Sequence, residues 1–522
     1  MHWLPGGDAL AVHLVDRRQR RGRLVRFDAR TGDATTLLDE KCYPGGWINV
    51  HDAFKPLAAS GEFLWLSERD GYAHLYAGAL DGGGGGALRR LTGPGEFIVE
   101  DVAAVDEARG VVYYMGTRPG GWTERHLFRV ALDGRSSPVC LTADRPGVHA
   151  CVVDVKSGQF VDTFSSLDAP ATVDVHALPP PYPGLAEMAT KFGADLGVGG
   201  ATPAEVVEAA CADLGVDGAG LSLAQKAEKA WDALYSGSDA QLAPRLARLH
   251  DAAVADDRVG GLALRPPELV TLPSADGAAT LQAALYKPDA AEFGPGPWPT
   301  VVSLYGGPHV QFVNAGWGQM TADLRAQMLR ARGFLVLKLD NRGSARRGHA
   351  FEAPLRERMG GVEVADQAAG VRWAIARGLA DPARVGVYGW SYGGYMTLMC
   401  LAQEPDLFRA GVSGAPVTDW AHYDTCYTER YMGLPAENAA GYTSASVMTH
   451  VKGLKGRLLL CHGLLDENVL FRNTACLVNA LIEHRKRYEL LLFPDERHGP
   501  RKQGDRAYIE ERVVEFFEDA LR

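Results

Sequence analysis

A serine hydroxyl is a poor nucleophile at neutral pH; it needs a histidine to take its proton and a carboxylate to hold that histidine in one tautomer. The chain offers all three in suggestive surroundings. Ser391 lies in Gly389-Trp390-Ser391-Tyr392-Gly393-Gly394, between an apolar run at 384–388 and a helix-like stretch at 395–403. This is the strand, sharp turn and helix of a nucleophile elbow, which lifts a hydroxyl clear of a sheet. Asp466 follows an apolar run at 457–461, and His498 follows another at 488–493. Both fall just past predicted strand ends, where open α/β sheets build their sites. In a glycine-rich chain the G-x-S-x-G spacing alone also fits a turn that happens to hold a serine, and a lone histidine is more often structural than catalytic. Together, and in the order Ser, Asp, His, the three make a hydrolytic triad.

The elements that must position them follow from the pattern of the chain. From about 263 to the end, strands alternate with helices, which implies an α/β-hydrolase domain over 263–522, a mostly parallel sheet with helices on both faces. Runs at 270–272 and 281–286 flank an Asp276-Gly277 turn, and 300–304 and 334–339 read as short buried strands. Residues 1–177 read instead as short strands between Gly, Asp and Pro turns. Phe63-Leu64-Trp65-Leu66-Ser67 leading to Leu91-Thr92 is repeated by Val111-Val112-Tyr113-Tyr114-Met115 leading to Leu141-Thr142. That spacing is about one propeller blade. Roughly three blades are expected, fewer than the four to eight or so that close a propeller, so the propeller is incomplete. Between the two, 178–262 is an alanine-rich helical insert. Thr202 with Glu205 and Ser222 with Gln225 look like capping boxes, and Pro244 is expected to open a further helix. Packing and partner binding are both open as its role.

Composition excludes several classes. The 522 residues suggest about three domains. A net charge of −10 argues against nucleic acid as a general partner. The cluster Arg17, Arg18, Arg20, Arg21 and Arg23 reads as a solvated loop. Eight cysteines lack C-x-x-C pairs or regular spacing, so neither a zinc site nor a disulfide framework is indicated. No apolar stretch is long enough to span a membrane, the start lacks a signal-peptide core, and no N-x-S/T sequon occurs. The expectation is a cytoplasmic chain needing no metal or cofactor, with a homodimer left open.

At these residues the chain resembles the dipeptidyl peptidase IV family of the prolyl oligopeptidase clan, in the branch of the cytosolic dipeptidyl peptidases eight and nine and their plant and bacterial relatives. The motifs that carry the resemblance are Gly389 to Tyr395, Tyr427-Thr428-Glu429-Arg430-Tyr431-Met432-Gly433, His462-Gly463 with Asp466-Glu467-Asn468-Val469, and Glu496-Arg497-His498. Weaker similarity runs through Trp47-Ile48-Asn49-Val50-His51-Asp52 and Ser67-Glu68-Arg69-Asp70-Gly71, and the insert is unmatched. The resemblance implies Ser391 as nucleophile, Asp466 as orienting acid and His498 as base. It implies an oxyanion hole from the Tyr305 hydroxyl and the Tyr392 backbone N–H. Val417, Trp420, Tyr423, Tyr427, Tyr392 and Val469 would line a small aromatic pocket for proline or alanine, and Asn468 would bind a substrate carbonyl. The implied substrates are peptides with proline or alanine at the second position.

One departure matters. The family grips the substrate's free amino terminus with paired propeller glutamates, whereas the one adjacent pair here, Glu510-Glu511, falls in the final predicted helix. The chain is therefore expected to begin downstream of that anchor and of the propeller arginine that assists Asn468. Three readings follow: a dipeptidyl peptidase, an oligopeptidase, aminopeptidase or esterase of relaxed register, and a silent binding or scaffold protein.

Overall fold

Strands covered on both faces read as unbroken apolar runs, and period-two alternation decides which neighbour each side chain meets. In Glu62–Ser67, Phe63 and Trp65 join one buried cluster with Leu24 and Leu37, while Leu64 and Leu66 join another with Val112 and Tyr114. In Val111–Gly116, the alternate residues Val111, Tyr113 and Met115 turn to a third cluster with Phe160. Sheets stacked in this way are propeller blades. The computed structural model describes residues 1–83, 86–134, 137–179, 185–196, 202–216, the single positions 223, 226, 227, 230 and 231, and then 243–255 and 260–522. It divides into two units, Met1–Leu14 with Arg23–Glu40 and Asn49–Gly261, and Val15–Gly22 with Lys41–Ile48 and Leu262–Arg522.

Among the described residues the antiparallel part holds four four-stranded sheets, rather than about three. The fourth is completed by Arg245–Asp251, a strand where a helix opening at Pro244 was expected. Leu246 and Leu249 suit one face of a helix by spacing, but both are exposed, so no apolar face is buried there. Instead the backbone pairs with Thr172–Ala177, beginning where Ala177 N–H donates to Pro244 O at 2.9–3.0 Å separation typical of a ladder, here 3.0 Å. Arg248 (2.8 Å) and Arg145 (2.9 Å) then meet the buried Asp174 carboxylate. Burial opposes that charge, but the two guanidinium groups outweigh it and hold the carboxyl below its usual range. The expected helix at Thr202 is present as Pro203–Asp213, with both capping-box hydrogen bonds between Thr202 and Glu205. Ser222 and Gln225 lie outside the described residues.

The second unit contains an eight-stranded sheet in the order β1-β2-β4-β3-β5-β6-β7-β8. Its strands are β1 (Glu268–Pro273), β2 (Thr280–Tyr286), β3 (Trp298–Leu304), β4 (Leu335–Asp340), β5 (Ala380–Trp390), β6 (Ala410–Gly414), β7 (Arg457–Gly463) and β8 (Glu489–Phe493). β1 and β2 run antiparallel around the Asp276-Gly277 turn; from β4 to β8 all neighbours are parallel. Helices important to the site are α1 (Val362–Ala376), α2 (Tyr392–Gln403), α3 (Thr425–Met432), α4 (Arg472–Glu483) and α5 (Gln503–Leu521). Parallel register sets what meets at the carboxyl edge. Leu304 lies opposite Gly389, so the loops after β3 and β5 emerge side by side. Gly463 lies opposite Phe493, which does the same for the loops after β7 and β8.

Candidate active site

The turn from β5 into α2 is tight enough to dictate its own sequence. Ser391 has φ 61° and ψ −118°, a conformation that L side chains rarely adopt and that costs about 1–3 kcal/mol. A Cβ on Gly389 would lie 2.2 Å from Gly393 O, one on Gly393 2.6 Å from Leu304 O, and one on Gly394 2.3 Å from Gly414 O. Each glycine thus permits a backbone crossing, and together they bring the serine over the ends of β3, β5 and β6.

The loop after β7 carries Asp466, and the loop after β8 carries His498. Leu464 N–H donates to Phe493 O (3.0 Å) and Leu465 N–H to Glu496 O (3.0 Å), fastening one loop to the other. His498 Nε2 lies 2.9 Å from Ser391 Oγ, and its Nδ1 lies 2.8 Å from Asp466 Oδ2. Trp390 Nε1–H donates to His498 O at 2.5 Å, bracing the histidine backbone against the elbow. The structure therefore brings the three residues into one hydrogen-bonded chain. Burial disfavours charge on Asp466, but hydrogen bonds from His462 and His498 and from Val469 N–H outweigh it, leaving the carboxyl well below the usual range. It stays ionised at neutral pH, as an orienting acid must.

His462 opens the motif that contains Asp466 and supports that carboxylate. Fully buried, it sits 3.2 Å from Asp466 Oδ2 and contacts Val469 O (2.9 Å) and Thr474 Oγ1 (2.7 Å). Asp466 Oδ1 accepts from Asn468 N–H and Val469 N–H, both at 2.9 Å. One carboxylate thus holds the histidine and shapes the loop that presents Asn468. The Asn468 side-chain oxygen accepts from the Tyr423 hydroxyl at 2.7 Å, which commits the oxygen and leaves the amide N–H groups as its donors.

Tyr305 leaves β3 beside the elbow, with its ring 5.9 Å from that of Tyr392. Burial pushes its phenol up to about 12, so the hydroxyl remains a donor at neutral pH. The Tyr392 N–H opens α2, and first-turn N–H groups have no partner within their own helix. Asn341 Nδ2 donates to Gly306 O (3.0 Å), and Arg342 pairs with Asp366, so the loop after β4 supports the Tyr305 turn from behind. Glu363 supports Tyr392 from α1. Wholly buried at the start of α1, it accepts from the Tyr392 hydroxyl (2.7 Å) and from Gly360 and Gly361 N–H. Burial raises its carboxyl. No spacing rule links an isolated glutamate to a tyrosine in a later helix.

The expected pocket residues also gather. Trp420 lies 5.4 Å from Tyr392, 6.0 Å from Tyr423 and 6.1 Å from Tyr427, ring centre to ring centre. Tyr423 meets Tyr427 edge-on at 5.3 Å. Val417 and Val469 are buried, while Tyr423 and Tyr427 keep partial exposure. Tyr423 and Tyr427 are thus the least buried members of the aromatic group.

The arginine cluster is not simply a solvated loop. Within the second unit Arg17 makes a two-pronged pair with Glu429 (2.7 and 2.8 Å), and Arg20 donates to Arg430 O (3.0 Å). Both partners lie on α3.

Family models match both parts of the chain. Residues 320–522 match the prolyl oligopeptidase family, and 1–171 match the dipeptidyl peptidase IV N-terminal region. Human dipeptidyl peptidase 8 is 32% identical over 510 residues, covering 91% of this chain and 49% of that protein. A probable dipeptidyl-aminopeptidase B from Neosartorya fischeri is 28% identical, covering 98% of this chain and 48% of its own length. The chain thus spans about half the length of the curated relatives it matches. The crystal structure of Porphyromonas gingivalis dipeptidyl peptidase 4 superposes with a TM-score of 0.76 at 25% identity, covering 99% of this chain and 63% of that one.

Proposed function

The chain belongs to the prolyl oligopeptidase family, with a dipeptidyl peptidase IV-type N-terminal region, and from that premise we propose a serine peptidase that releases Xaa-Pro or Xaa-Ala dipeptides through an acyl-enzyme. The observation that carries the reading is the Ser391–His498–Asp466 hydrogen-bonded chain beside a cluster of aromatic rings. Ser391 Oγ gives its proton to His498 Nε2 and attacks the scissile carbonyl carbon. The oxyanion that forms accepts from Tyr392 N–H and the Tyr305 hydroxyl. The C–N bond then breaks as His498 passes the proton to the leaving amine, and water repeats the sequence to free the acid. Asp466 stays ionised and holds Nδ1–H. The amide N–H groups of Asn468 suit a substrate carbonyl, and the aromatic group suits the flat proline ring or a methyl. Eight free thiols fit a reducing compartment, so a cytoplasmic setting is part of the same reading. Among the described residues no helix is long and apolar enough to cross a membrane.

A second reading keeps the triad but relaxes the register. It is favoured by Glu510, half of the one adjacent glutamate pair, which is engaged by Arg325 Nε at 2.6 Å on α5 and so does not serve as an amino-terminal anchor.

A fluorophosphonate probe tests the first step. Ser391 should carry the adduct, and folded protein that is labelled elsewhere or not at all would remove the nucleophile. Amide substrates with proline, alanine, leucine and lysine at P1 then test the pocket. Proline and alanine should lead in kcat/KM; leucine or lysine matching proline would refute it.

A further inference from the structure

α3 forms one wall of the pocket through Tyr427, yet it is only eight residues long, too short to hold its position by helical propensity alone. Its other supports are visible. Tyr431, one turn on from Tyr427 (4.8 Å between rings), packs edge-on against Trp47 at 4.9 Å. The remaining polar face is held by the turn Val15–Gly22. Gln19 Nε2 donates to Cys426 O at 2.6 Å, and Gln19 Oε1 accepts from Arg430 Nε. Arg17 pairs with Glu429 and Arg20 with Arg430 O, as described above. Three α3 residues, Cys426 just before Tyr427 and Glu429 and Arg430 just after it, are therefore addressed from this turn.

The turn is built for that contact before it is made. Asp16 Oδ1 accepts from Arg20 N–H (2.7 Å) and Arg21 N–H (2.9 Å), and Gln19 N–H donates to Asp16 O (2.8 Å). Gln19 itself sits at φ 53°, a left-handed conformation that non-glycine residues adopt at a cost, and it is only 7% exposed. Its carbonyl accepts from Ile48 N–H (2.7 Å), tying the turn to the stretch that carries Trp47. A long polar side chain buried in a strained turn, with donor and acceptor both spent on one helix, is a positioning device.

We propose that Gln19, seconded by Arg17, is a specificity-determining residue that acts through α3, fixing the distance of Tyr427 from Trp420 and so the width of the P1 pocket. The proposal rests on the peptidase reading for its substrate and on the hydrogen bonds alone for its mechanics. Gln19→Ala in the full chain should raise KM for a P1-proline amide about tenfold with kcat within about twofold, the size expected for losing a buried hydrogen-bonded pair. The proline-to-leucine ratio of kcat/KM should fall, fluorophosphonate labelling of Ser391 should keep its rate, and amide hydrogen exchange across 425–432 should quicken. Gln19→Glu keeps an acceptor for Arg430 and removes the donor to Cys426, and should give an intermediate change; it also serves if the alanine variant does not fold. Arg18→Ala, whose exposed partner Glu437 lies beyond α3, should change nothing. Wild-type exchange across 425–432 in Gln19→Ala, or an equal effect in Arg18→Ala, would overturn the proposal. Exchange needs no substrate, so failure to turn over any dipeptide amide would count against the peptidase reading and leave the role of Gln19 separately decided.

Discussion

In the proposed mechanism Tyr305 and Tyr392 divide one task between a side chain and a backbone. Removing only the Tyr305 hydroxyl, as Tyr305→Phe, should lower kcat by about 10²–10³ with little change in KM, because an oxyanion donor stabilises the transition state and not the bound substrate. A matched rise in KM, measured by steady-state kinetics, would show that the hydroxyl serves ground-state binding instead. Ser391→Ala and His498→Ala should each cost orders of magnitude, and the double variant little more, since the two act as a unit. Ser391, Asp466 and His498 were legible as a set because each follows a predicted strand end, whereas Tyr305 and Tyr392 were named only by the family resemblance. Glu363 was not, since its role depends on a contact with Tyr392, 29 positions away. The turn at Gln19 was hidden more deeply, with partners 407 and 411 positions distant.

At the level of elements, the β5–α2 turn tolerates nothing larger than hydrogen at its crossings. Gly389→Ala should abolish fluorophosphonate labelling and lower the melting temperature, since the added carbon meets backbone that cannot rotate away; an unchanged labelling rate would show that the elbow can shift. The end of β4 gives a different expectation. Asp340 is buried and accepts from Phe312 N–H (2.8 Å) and Val313 N–H (2.9 Å), yet burial pushes its carboxyl up to about 7. An unfolded aspartate titrates near about 3.9. Between those values the folded chain holds a proton that the unfolded chain has lost, so this group subtracts stability as pH rises from about 4 to about 7. Asp340→Asn should flatten the melting temperature against pH across that window, and parallel curves for the two proteins would reject the shift. The parallel strands themselves were readable as buried apolar runs. Arg245–Asp251 was not, because Pro244 suits the first turn of a helix and the pairing partner lies far upstream.

For the whole molecule, the telling measurement concerns the substrate's amino terminus. With Glu510 committed to Arg325, the one adjacent glutamate pair does not offer both of its carboxylates for charge-assisted hydrogen bonds with an ammonium. Residues 1–522, if active, should hydrolyse free and N-acylated Xaa-Pro amides at rates within about tenfold, about 1.4 kcal/mol of discrimination. A thousandfold preference for the free amine would mean that another acidic group, from this chain or a second copy, supplies the anchor. The route by which the fourth sheet is completed has a consequence of its own. His176 bonds to Ala243 O across 67 positions, where an ordinary hairpin would need a handful. Closing so long an excursion costs only about 2–3 kcal/mol more than closing a short one, because closure entropy grows with the logarithm of length. The helices at Leu185–Leu196 and Pro203–Asp213 bury their own apolar residues, Phe192 and Val207 among them, and so fold on separate terms from the sheet that brackets them. Evolution can therefore lengthen, shorten or exchange that excursion with little effect on the sheet, which makes it the part of this architecture most open to novelty.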